Sequence, residues 1–182
     1  MRKQRLICLC FPLLLAAAAG LTGRPAGAIS LEEATEDGQR ILTVENQHYR
    51  ARITPAQGGR ITSFWCPKQG PEWVKGTLGF FGDHLWQQSW PGELLHAPYE
   101  FEVLESSQNR VRIALWREVE GSGNPQIQDL IYRKVIEFTE SPLITARVTL
   151  KNPTEEPRLP GLWIQNIIYP GGADELLFFR PS

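Results

Sequence analysis

The stretch with the densest chemistry is Gly79 to His96, GFFGDHLWQQSWPGELLH, which reads as a carbohydrate-facing loop or a long crossover between strands. Its eighteen residues hold two Phe, two Trp, two His, two Gln, one Asp and one Glu. Aromatic faces beside carboxylate, amide and imidazole groups suit a sugar ring, whose C–H faces stack on indole while its hydroxyls need donors and acceptors. Trp86 and Trp90, four apart, can form one stacking wall or plug one end of a core. Asp83, His84, Gln87 and Glu93 can meet hydroxyls or face solvent. Arg60 can bind an acidic sugar or pair with Glu72 or Glu93, and Trp163 and Gln165, two apart, share one strand face. Trp116 stands out because its position opposes the face of Val111, Ile113 and Leu115. It either packs against a neighbouring element or marks a binding face.

Other chemistries find less support. His48, His84 and His96 are the only histidines and none is spaced i, i+4 with another, so neither a metal nor a cofactor is expected. Gly-x-Ser-x-Gly does not occur, and Gly58-Gly59 opens a strand rather than the helix a phosphate cradle needs. No catalytic residue is assigned.

The elements that must position these residues are strands. Ile41 to Glu45 and Tyr49 to Ile53 flank the turn Asn46-Gln47-His48, and Arg60 to Cys66 follows a turn with Pro55 and paired glycines. Tyr99, Phe101 and Val103 alternate on one strand and Val111, Ile113 and Leu115 on the next. A long strand is expected over 126–139, with Leu130, Tyr132, Ile136 and Phe138 on one face. Ile144 to Leu150 alternates with a polar face, and Gly161 to Tyr169 and Leu176 to Phe179 are further candidates. Residues 29–40 are acidic and weakly patterned, and predict a flexible lead-in or short helix. The fold class is therefore all-β, an antiparallel two-sheet β-sandwich occupying 41–182.

The run Pro55-Ala56-Gln57-Gly58-Gly59-Arg60-Ile61-Thr62-Ser63-Phe64 has a Pro-ended strand, a glycine turn and a new strand opening on Arg. It resembles the N-terminal sheet of the galactose mutarotase-like family, the aldose 1-epimerase supersandwich. The ladder Tyr99 to Arg117, the strand ending Lys151-Asn152-Pro153 and the run Leu162-Trp163-Ile164-Gln165-Asn166 fit the same picture. The resemblance implies a partial supersandwich, because a complete one needs about twice this length. It also implies a sugar ligand and, for catalysis, two imidazoles and a late glutamate. That glutamate lies in the C-terminal half, which is missing here, and neither His84 nor His96 aligns to an imidazole position.

Arg2, Lys3 and Arg5, the apolar run Leu6 to Ala19 and Ala26-Gly27-Ala28 read as a secretory signal over Met1 to Ala28. The run falls short of the ~20 residues that span a bilayer, so no stable membrane anchor is expected after cleavage. Of 19 basic residues four (Arg2, Lys3, Arg5, Arg24) leave with the signal, so 15 face 20 acidic ones and nucleic acid is not a partner. Cys66 alone remains of the cysteines and reads as a small hydrophobe, so packing must hold the fold. The expectation is an exported protein, periplasmic or extracellular, that contacts carbohydrate without complete catalytic machinery and whose chain is cut short. A sugar mutarotase or epimerase and a structural or protein-interaction module are the alternatives. Oligomeric state is not fixed by the sequence.

Overall fold

The structure is a computed structural model describing residues 27–68, 70, 72–74, 79–86, 93–121 and 124–168. Gln87, Trp90, the run Leu176 to Phe179 and the part of the expected signal up to Ala26 lie outside them.

The described chain is all-β apart from one 3-10 turn, Pro55–Gln57. One antiparallel meander contains β1 (Ser30–Glu36), β2 (Gln39–Glu45), β3 (Arg50–Thr54) and β4 (Arg60–Trp65). A short strand, β5 (Gly82–Trp86), follows. A second meander contains β6 (Glu100–Ser106), β7 (Arg110–Glu118), β8 (Ile131–Thr139) and β9 (Ile144–Lys151). Last comes β10 (Gly161–Gln165), which turns back to pair with β5 as a two-stranded ribbon.

Alternation writes the packing directly. Leu42, Val44, Ala51, Ile53 and Ile61 of the first sheet meet Val111, Ile113, Leu115, Tyr132, Ile136 and Phe138 of the second in one buried core. Each such aliphatic or aromatic side chain stabilises the fold by about 1.5–3 kcal/mol on burial. Cys66 is free and half-buried against this core, and burial first, then the Glu72 carboxylate, push its thiol above the usual range.

Three expectations are corrected. Residues 29–40 are not a flexible lead-in: β1 pairs with β2 along its whole length, from Ser30 opposite Glu45 to Glu36 opposite Gln39. Asp37 and Gly38, both at positive φ (49° and 77°), form the tight Asp-Gly turn that hairpins favour. Glu33 and Glu36 then pair with Arg40 and Arg52 on neighbouring strands. The strand expected over 126–139 begins only at Ile131, because the Asn124 side chain accepts from the Gln126 N–H and its carbonyl receives Ile127 and Gln128, winding a turn.

The Gly79 to His96 stretch is also not wholly a loop. Ile61 and Phe80 exchange backbone hydrogen bonds at 3.0 and 3.1 Å, which ties the lead-in of β5 to β4. Only glycine allows this approach at position 79, where a Cβ would sit 1.9 Å from the Ile61 carbonyl oxygen.

Gly58 combines φ of 76° with a would-be Cβ only 2.1 Å from the Leu95 carbonyl oxygen. Gly58→Ala is expected to cost more than the about 1–3 kcal/mol of left-handed strain alone, because the Leu95 backbone must also move. Urea unfolding checks this, and an unchanged midpoint would contradict the packing described here.

Candidate functional site

β5 carries Asp83 and His84 as consecutive residues, and in a strand consecutive side chains point to opposite faces. The ribbon therefore has an anchoring face and a display face. Both residues are fully buried, so neither the loop setting nor the solvated surface expected for them holds. The cause is the glycine-mediated docking of residues 79–82 against β4.

On the anchoring side, Asp83 meets Lys134, an inward-facing residue of β8, with Nζ donating to Oδ2 at 2.5 Å and both side chains at 0% exposure. The ammonium also donates to the Phe81 carbonyl at 2.9 Å and the Gly58 carbonyl at 3.2 Å, which uses all three of its protons. The Tyr99 hydroxyl donates to Asp83 Oδ2 at 3.3 Å, and Lys134 Nζ lies 5.2 Å from the Tyr99 ring centroid. Tyr132 packs edge-on against Tyr99, with ring centroids 5.9 Å apart. Among the described residues, Asp83 Oδ1 and the Tyr132 hydroxyl make no hydrogen bond.

Burial pushes the Lys134 ammonium below the usual lysine range, against the opposing pull of Asp83. Burial first and the Asp83 charge second push the Tyr99 and Tyr132 phenols far above theirs. Arg60, at 2% exposure, pairs with neither Glu72 nor Glu93 as expected. Its Nε and Nη1 have no hydrogen-bond partner among the described residues, burial lowers its pKa, and its charge acts on Lys134. Glu72 instead accepts from Ser63 and the Phe64 N–H.

On the display side, Trp163 of β10 lies directly opposite His84 in register, and Gln165 lies opposite Gly82. His84 Nε2 and Gln165 Oε1 are 3.2 Å apart, a contact that requires the proton on Nε2 when Oε1 accepts. The imidazole and indole centroids are 6.1 Å apart at 44°. Trp163 remains 49% exposed. Trp86 lies opposite Gly161 in the ribbon register.

The sequence candidates thus divide. His84, Trp163 and Gln165 come together, while Asp83 and Arg60 are buried behind them. Glu93 joins a structural clamp instead: its two oxygens accept from the Glu120 N–H at 2.7 Å and the Gly121 N–H at 2.8 Å, and Arg117 lies 3.3 Å away. Lys134, Tyr99 and Tyr132 were missing from the candidate set, yet a lysine at an inward position of an alternating strand was a visible signal. Among the described residues no group of three or more His, Cys, Asp or Glu could hold a metal ion.

No protein family and no curated protein matches the chain. A solved structure with a similar fold is a TPR-domain containing protein from Parabacteroides distasonis ATCC 8503, at 14% identity and a TM-score of 0.50. The match covers 64% of this chain and 22% of that one. At such identity the likeness concerns fold alone.

Two outcomes follow from the buried cluster. Removing one partner strands a charge in the core, so Lys134→Met and Asp83→Asn are each expected to lose about 3–5 kcal/mol. The paired change Lys134→Met with Asp83→Asn should lose less than the sum by about 1–3 kcal/mol, and strict additivity in urea unfolding would contradict a direct pair. Tyr49, Tyr99 and Tyr132 all have raised folded-state pKa values, so their contribution is fully present below about pH 10 and falls as pH rises beyond it. The lowered Lys134 acts with the opposite sign, and only below about pH 10.4. An alkaline titration should therefore show the three tyrosinates emerging with loss of tertiary circular dichroism, not before it.

Proposed function

We propose that this chain is an exported, carbohydrate-contacting β-sandwich of the galactose mutarotase-like kind, without the complete catalytic machinery of that family. The observation that carries this reading is the half-exposed Trp163 indole beside a His84 imidazole held by the Gln165 amide on one ribbon face. An indole supplies the apolar platform a pyranose ring stacks on, and the amide supplies both a donor and an acceptor for hydroxyls. The Asp83–Lys134 pair anchors the other face of β5. Rigid support of this kind lowers the ordering cost of binding.

Calorimetric titration with a panel of neutral saccharides tests the proposal. Binding at millimolar concentration or tighter is expected, with at least a tenfold loss in Trp163→Ala, equivalent to about 1.4 kcal/mol. Absence of binding to every saccharide removes the reading. Polarimetry of freshly dissolved α-glucose or α-galactose separates binding from catalysis, the expected relaxation being that of buffer.

A further inference from the structure

The outer face of the second sheet carries a separate feature. Trp116 of β7 points away from the core and pairs in register with Glu100 of β6 and Arg133 of β8. One pleat further along, Ala114 pairs with Val135, and Val135 with Arg147 of β9. A depression of about 460 Å³ is lined by Arg133, Val135, Arg147 and Thr145, together with the ion pair Arg112–Glu137 at 3.4 Å. A second of about 540 Å³ is lined by Pro98, Trp116 and Ile131 with Arg117 and three carboxylates, Glu100, Glu118 and Glu120, so the positive charge is concentrated at the Arg133–Arg147 end. The Trp116–Arg133 pair joins the two, so a trough runs along β8 from Ile131 to Glu137, about 20 Å at ~3.3 Å per residue.

Charge completes the picture. Among the described residues Arg133 and Arg147 have no ion-pair partner, although Arg110 and Arg112 on the same sheet do. Two unpaired guanidinium groups beside Val135 favour a planar anion, which they can grip through paired N–H donors. The adjoining indole supplies a flat apolar face at one end of the trough.

We infer that this trough is a second binding site, selective for carboxylated oligosaccharides, with Arg133 and Arg147 taking a uronate carboxylate and Trp116 stacking on a neighbouring ring. A strand-forming peptide would add to the free edge of β9 and leave Trp116, two strands further in, uncontacted, and an amphipathic helix would need a row of large apolar anchors, which Val135 alone does not provide. The site stands apart from the ribbon face and does not depend on it.

Calorimetry with trigalacturonate, maltotriose and a hexaglutamate peptide tests the inference on the purified protein. Trigalacturonate should bind, more weakly as salt rises, and maltotriose should bind this face at least tenfold less tightly. Arg133→Gln with Arg147→Gln, and separately Trp116→Ala, should each weaken trigalacturonate at least tenfold while leaving circular dichroism unchanged. Trp163→Ala should leave it unaffected. No trigalacturonate binding, equal binding of maltotriose at this face, or loss of binding in Trp163→Ala overturns the assignment. Hexaglutamate bound as tightly as trigalacturonate and indifferent to Trp116→Ala overturns it too, giving the trough to acidic peptides.

Discussion

The contact between Lys134 and Asp83 organises the molecule. An unpaired ammonium in a core would cost several kcal/mol, and the geometry around Lys134 leaves it no single alternative partner. Its three protons are taken by a carboxylate and a carbonyl of the ribbon region and by the Gly58 carbonyl of the turn before β4. One residue of the second sheet thereby fixes the glycine turn and the ribbon at once. Apolar packing supplies most of the stability but is tolerant of small slides. The hydrogen-bonded charge is directional, so it sets where the ribbon lies.

That placement gives the ribbon its two characters. Asp83 and His84 take opposite faces because they are neighbours on one strand, Asp83 toward Lys134 and His84, itself fully enclosed, toward Trp163 and Gln165. The same alternation operates on the second sheet, where Tyr132, Lys134 and Ile136 point in and Arg133, Val135 and Glu137 point out. Both candidate surfaces are thus the reverse sides of strands whose inner sides are fully committed.

The strand ladder was legible because its alternation is strong: Val111, Ile113 and Leu115 lie inward as their spacing implies. β1 was not, since its outward Glu residues resemble a solvated tail, although Asp37-Gly38 announced the hairpin. The site was half legible. Trp163 and Gln165 declared a shared face, but nothing local told that β10 would return to β5 and set Trp163 against His84, a contact made across about eighty positions of chain. Nor did composition reveal that Asp83 and His84 are enclosed, because burial there comes from how closely Gly79 lets the backbone approach Ile61. Lys134 was passed over by attending to its apolar neighbours Tyr132 and Ile136. The strand alternation along the chain predicted the all-β class, which the structure has.

The pairing of β5 with β10 also has a temporal side. Each meander is made of sequence-adjacent hairpins, which close in microseconds and ask little loop entropy. β5, by contrast, leaves the ribosome before the whole second meander and has no ladder partner on its β10 side until Gly161–Gln165 has been synthesised. The nascent chain therefore carries a waiting strand through much of its assembly, and among the described strands the ribbon that carries the indole can pair only last.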